Sequence, residues 1–212
     1  IILQGLFTWL VEAGWVGHNP FALMRDKARR MNNQGQRIER YLEQPLWAWL
    51  WQWLNQPSHS NDARLVYEGA RRRFIFSFAY LLAPRVSEMA NAQMSDFHEV
   101  EGRWWWRVIG KGSKQARIPV PVDMLESLQA WREALGLVSL PSYHEPTPVI
   151  RALDKRRGIS DNQLYRLIKE TLANAADALE EKGGKPAYVE ALRRATPHWL
   201  RHTAITHQAQ SG

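Results

Sequence analysis

Residues 196–203, Thr-Pro-His-Trp-Leu-Arg-His-Thr, hold the densest group of side chains able to do chemistry. Proline is favoured at the first position of a helix, where its missing amide would have no partner anyway, so Pro197 predicts a helix start. Residues three apart on a helix share a face, which points His198 and Arg201 the same way. An imidazole and a guanidinium would then converge on one partner, and the planar arginine fork matches phosphate oxygens. Phosphate chemistry is therefore the first expectation. Two upstream segments offer matching groups: Arg85-Val86-Ser87-Glu88 at another helix start, and Gly110-Lys111-Gly112-Ser113-Lys114 at a glycine-containing turn. His198 and His202, four apart, also have the spacing of helical zinc ligands. Trp199 stands where the metalloprotease motif needs its glutamate, and no third ligand stands out, so no metal is expected.

The elements that must carry these groups are mostly helical. Leu3, Leu6, Phe7, Leu10 and Val11 recur at helical spacing up to a stop near Gly14. A second short helix is expected over Phe21 to Arg30, and the polar stretch Met31 to Gln36 reads as an interdomain linker. Pro45 to Leu54 is apolar nearly all round, with Leu46, Trp49, Leu50 and Trp53 at helical spacing, which predicts a helix buried among others. After a loop ending in Asn61-Asp62, good helix caps, a long helix places Val66, Ala70, Phe74, Ser77, Phe78 and Leu81 on one face. Arg71, Arg72 and Arg73 lie in its middle, as a solvated charge run or as phosphate contacts. Pro84 ends that helix.

Beyond Asp96 the period changes to two. Trp104, Trp106 and Val108 alternate with Trp105, Arg107 and Ile109, and Ala116 to Val120 follows as a second strand, giving a hairpin with a basic tip. Helical spacing returns at Met124, Leu128, Trp131 and Leu135. An irregular loop spans 136–158, and Ser160 with Gln163 is a capping box opening the next helix, which Gly183-Gly184 stops. Lys185 to Arg194 reads as a short basic segment delivering the chain to residue 196.

Composition narrows the partner. The chain has 28 Lys+Arg against 21 Asp+Glu, a net charge of +7 and a pI near 9.9, which favours a polyanion. No apolar run approaches the roughly 20 residues that span a bilayer, and no basic-then-apolar leader opens the chain, so a membrane partner is not expected. The absence of cysteine excludes disulfides and thiolate metal sites and is compatible with a cytoplasmic compartment. The eleven tryptophans are expected mainly in the core or an interface.

Taken in order, Arg-Val-Ser-Glu, the Gly-Lys-Gly hairpin tip with its Ile-Pro-Val-Pro strand end, and His-Trp-Leu-Arg-His-Thr resemble the tyrosine recombinase, or phage integrase, family. The resemblance implies a mainly α fold with a small antiparallel β-sheet: a catalytic domain over residues 36–212, preceded over 1–35 by the end of a helical core-binding domain and a linker. It also implies cleavage and rejoining of double-stranded DNA through a 3′-phosphotyrosine, without metal or cofactor. Arg85 and Arg201 match the family's phosphate-binding arginines, Lys111 its general acid, and His198 the position that bonds the phosphate or takes the nucleophile's proton. Lys114 is the fallback for Lys111. Glu88 is read as orienting the arginine cluster, and His202 as structural support. Arg71, Arg72, Arg73, Lys114, Arg117, Arg156 and Arg157 are candidate DNA contacts. The family's tyrosine follows the His-x-x-Arg helix, whereas all six tyrosines here precede it, so the nucleophile is expected beyond Gly212 and the chain is expected to be a fragment that binds DNA without cutting it. The family implies a tetramer on DNA for the longer protein, and a monomer is expected for this chain. The rival reading is a non-catalytic basic DNA-binding protein.

Overall fold

A computed structural model describes residues 2–20, 40–56, 61–109 and 115–211. The chain divides into two compact units, residues 1–39 and 40–212. In the first, α1 (Ile2–Glu12) is followed by Gly14 at φ +73°, a left-handed conformation that glycine reaches without steric cost. The helix expected over Phe21 to Arg30 and the linker that follows lie outside the described residues.

The second unit is mainly helical and carries one three-stranded antiparallel sheet. Helix α2 (Gln44–Leu54) has Pro45 in its first turn and buries Leu46, Trp47, Leu50 and Leu54. Its inward face is therefore rotated from the expected one. Trp47 enters the core, while Trp49 and Trp53 are half-buried and stack on each other at 6.4 Å. A helix apolar all round has no polar face to fix its orientation, so packing against neighbours decides.

Helix α3 (Ala63–Leu81) starts at Asp62, whose carboxylate accepts the Arg64 amide at 2.8 Å. Val66, on the expected core face, is exposed. From Phe74 to Ala79 every residue is buried, so the helix runs through the centre of the unit. After α4 (Val86–Ala90) and a single 3-10 turn, the chain forms β1 (Phe97–Val100), β2 (Arg103–Ile109) and β3 (Gln115–Pro119) in the order β1-β2-β3. Sequence periodicity predicts the β2–β3 hairpin but not β1, which is only four residues long. Trp106 lies opposite both Phe97 and Ile118 in the register, and this alignment sends it inward to meet Phe78 edge-on at 5.0 Å. The hairpin tip, residues 110–114, lies outside the described residues.

Helix α5 (Val122–Ala134) leads to the long loop and then to α6 (Asp161–Glu181). The loop is held from inside. Buried Arg132 donates to the Val138 carbonyl at 2.7 Å and to Glu145 at 3.0 Å, and Arg151 donates to the Pro148 and Lys155 carbonyls. Ser160 and Gln163 close α6 reciprocally, as the sequence predicts. The segment read as a basic connector is a helix, α7 (Pro186–Arg194). Its arginines sit at one end while Val189 and Leu192 are buried. Lys169 of α6 donates to the Arg193 and Ala195 carbonyls at 2.8 and 2.9 Å, closing α7 where α8 (Pro197–Ser211) begins. Among the described residues no helix is long and apolar enough to cross a membrane.

Candidate functional site

The site is built where α3 gives way to α4. Pro84 follows Ala83, and a residue before proline is disfavoured in the right-handed helical region. Ala83 adopts φ +47°, a left-handed conformation that costs a non-glycine residue about 1–3 kcal/mol. Its carbonyl accepts a hydrogen bond from Arg201 Nη1, across 118 residues of sequence. Two residues later Arg85 caps α4 in extended conformation. Glu88 accepts the Arg85 amide with Oε2 and Arg85 Nη1 with Oε1, both at 2.7 Å. One carboxylate thus satisfies a free amide at the helix start and holds the Arg85 side chain, which stays 57% exposed. Arg201 of α8 thus reaches the same turn that carries Arg85, with Glu88 against Arg85.

On α8 the predicted His198 and Arg201 are joined by His202. The Nε2 atoms of His198 and His202 lie 2.8 Å apart, with the rings edge to face at 4.3 Å between centroids. His202, expected as support off the arginine's face, is a direct partner of His198. One ring must donate and the other accept, so the pair cannot carry two imidazolium charges and keep its bond. Burial lowers the pKa of His198, and the charges of His202, Arg201 and Arg40 lower it further. A neutral imidazole at neutral pH can take a proton from an attacking hydroxyl. Among the described residues no group of three or more His, Cys, Asp or Glu is placed to hold a metal ion.

The inner face of α8 fixes where these groups point. The buried Thr203 hydroxyl accepts the Leu42 amide at 2.9 Å and donates to the Trp199 carbonyl at 2.8 Å. His207, also buried, reaches the Leu42 carbonyl with Nε2 at 2.9 Å and the Tyr80 hydroxyl with Nδ1 at 3.1 Å. A carbonyl only accepts, so Nε2 carries the proton, and in the neutral ring Nδ1 accepts from Tyr80. Burial depresses the pKa of His207, against an opposing effect of the Leu42 carbonyl. Sequence reasoning missed Arg40, Tyr80 and His207, and gave Thr203 no role of its own within its motif. Only the continuation of α8 to a buried histidine five residues past His202 could have flagged the last.

The other predicted basic residues fall elsewhere. Arg71 is turned inward: its Nη1 donates to the Arg151 carbonyl at 3.3 Å, its guanidinium lies 5.8 Å from the Tyr67 ring, and burial lowers its pKa. Arg72 pairs with Glu68 at 3.4 Å, and Arg73 lines a cleft between α2, α3 and α5. Arg156 and Arg157 are exposed on the loop that Arg71 touches, where Arg157 meets Asp154 at 2.5 Å. Arg117 is exposed on β3, opposite Arg107. Lys111 and Lys114 lie outside the described residues.

Residues 58–212 match the family model described as "Phage integrase family". Tyrosine recombinase XerC of Mycobacterium sp. (strain KMS) is 28% identical over 142 residues, 67% of this chain and 41% of the relative. XerC of Mycobacterium tuberculosis (strain CDC 1551 / Oshkosh) is 30% identical over 146 residues, 67% of this chain and 42% of the relative. The chain thus spans about two fifths of the length of these curated relatives. In fold it is similar to a lambda integrase (75–356) dimer bound to a COC' core site, with TM-score 0.55 and 16% identity over 99% of this chain and 64% of that one. It is also similar to the XerH site-specific recombinase in a post-cleavage complex with palindromic difH substrate, with TM-score 0.57 and 17% identity over 84% of this chain and 44% of that one.

Proposed function

The chain belongs to the phage integrase family, and from that premise we propose that it is the phosphate-binding part of a site-specific DNA recombinase. The observation that carries this reading is the hydrogen bond from Arg201 to the Ala83 carbonyl, which draws α8 to the turn bearing Arg85. Two guanidiniums at one turn suit the two non-bridging oxygens of a phosphodiester. As a nucleophile adds, charge grows on those oxygens, and preorganised donors stabilise the transition state more than the ground state.

The reaction is an exchange of esters. A tyrosine Oη attacks phosphorus and forms the phosphotyrosine bond, the bond from phosphorus to the 5′ oxygen breaks, and His198 takes the tyrosine proton. Lys111 returns a proton to the departing 5′ oxygen. Rejoining reverses these steps without a nucleotide, since the phosphate stays esterified. None of the six tyrosines of this chain is assigned as the nucleophile; by the family's order we place it after the helix of His198 and Arg201. Residues 1–35 are proposed as the end of a helical DNA-binding domain. Arg72, Arg117, Arg156 and Arg157 are proposed as backbone contacts, with Lys114 in reserve for Lys111. Of the three neighbours on α3, Arg71 is the least suited, because its guanidinium is turned inward. The proposed partner is double-stranded DNA in the cytoplasm, bound by this chain as a monomer and by the longer protein as a tetramer.

The test uses two proteins. This 212-residue chain should bind a labelled DNA duplex with affinity that falls steeply as salt rises and should leave the duplex uncut. A longer protein that continues past α8 should form a covalent adduct with a nicked suicide substrate of its cognate site in the presence of chelator. DNA binding with no adduct from the longer protein overturns the recombinase reading in favour of a non-catalytic DNA-binding protein.

A further inference from the structure

A cleft of about 440 Å³ lies between α2, α3 and α5, a volume that suits one small molecule rather than a helix. Its walls are aromatic. Trp47 stacks on Tyr80 at 4.2 Å and on Trp51 at 6.3 Å, and Trp131 stacks on Phe74 at 5.6 Å. Flat faces of this kind favour a planar ring.

Two further observations define the ligand. Ser77 lines the cleft and is only 4% exposed, so its hydroxyl is placed to bond a polar group of a ligand. The charges at the rim are unequal. Asp123 and Glu126 face the cleft from one side of α5, and Arg73 faces it from α3. None of the three is ion-paired among the described residues. On a chain of net charge +7, the two acids form a local excess of negative charge. Trp51, the half-buried tryptophan of the lining, adds the attraction of its ring quadrupole for a cation.

We propose that this cleft binds a planar aromatic ammonium ion of one or two rings, and that its occupancy is sensed by α8. The path is short. Tyr80 forms part of the wall through its ring and bonds His207 of α8 through its hydroxyl at 3.1 Å. A ligand that shifts the Tyr80 ring must move or break that bond. That the effect reaches a phosphate-binding surface rests on the recombinase reading; binding and its effect on His207 do not.

Tryptamine is the probe, with indole-3-acetate as the same ring carrying the opposite charge. Calorimetry on the whole chain should give saturable one-site binding of tryptamine in the micromolar to millimolar range expected of so small a ligand. Indole-3-acetate should bind about tenfold more weakly, the scale of one charge-assisted hydrogen bond. The double variant Asp123→Asn with Glu126→Gln should erase that preference, and Ala130→Trp, a change at the exposed rim, should abolish binding while the melting curve stays cooperative. Histidine NMR should show the His207 ring resonances moving on saturation in the unaltered chain and not in Tyr80→Phe, which keeps the aromatic wall but removes the hydroxyl. Absence of saturable binding, or binding that survives Ala130→Trp, overturns the site. Equal affinity for both probes overturns the assigned charge. Binding that leaves the His207 resonances in place overturns the link to α8.

Discussion

Thr203 and Leu42 are joined across 161 residues by a buried hydrogen bond from the Leu42 amide to the Thr203 hydroxyl. It ties α8 to the stretch before α2. Thr203→Val keeps the shape of the side chain and leaves the Leu42 amide unpaired in the core. A loss of about 1–3 kcal/mol in unfolding free energy is expected from urea denaturation, the cost of a buried donor without a partner.

His198 and His207 both have pKa values lowered from 6.5. A depressed histidine binds protons less readily in the folded chain than in the unfolded one, so folding is weakened as pH falls. The contribution is complete above pH 6.5 and is lost as pH drops from there through the lowered folded values. Melting temperature followed against pH should be flat above neutrality and decline below 6.5. His207→Gln should reduce the decline, while a decline of the same size in that variant would place its origin elsewhere.

Arg201 donates to the Ala83 carbonyl with one nitrogen and has others left for a ligand. Arg201→Ala should weaken DNA binding by about tenfold to a hundredfold, the scale of a hydrogen bond to a charged group. Arg201→Lys should recover part of the affinity through charge, but not the geometry of a fork. Fluorescence anisotropy with a labelled duplex at fixed salt gives both numbers, and circular dichroism checks that the fold persists.

Gly184 closes the turn after α6 under Leu179. A Cβ at position 184 would lie 2.4 Å from Leu179 Cγ and 2.8 Å from its carbonyl oxygen. Gly184→Ala should therefore destabilise the chain by about 1–3 kcal/mol, the range for overpacking, as read by thermal or urea melts.

The fold class and the family were legible because the signals were local. A capping box at Ser160, a proline at position 197 and alternation through Trp104 to Ile109 each act over a few residues. What was not legible depends on distant partners. The inward face of α2 could not be read from a helix apolar all round, and β1 is too short to show a period and is defined by its pairing with β2. Helix α7 was hidden by its terminal arginines. At the candidate site, His198 and Arg201 could be placed on one helix from spacing. The role of Tyr80 and His207 could not, since their bond spans 127 residues. Arg71 and Arg72 look alike in the sequence, yet one turns to a carbonyl and the other to Glu68.

Three anchors of α8 reach backbone atoms: the amide and carbonyl of Leu42 and the carbonyl of Ala83. Every residue type presents a carbonyl, and every type but proline presents an amide. The helix bearing His198 and Arg201 is thus fastened to features that substitution at positions 42 and 83 does not erase. Side chains there can change with the needs of packing, while the points of attachment are inherited with the chain itself.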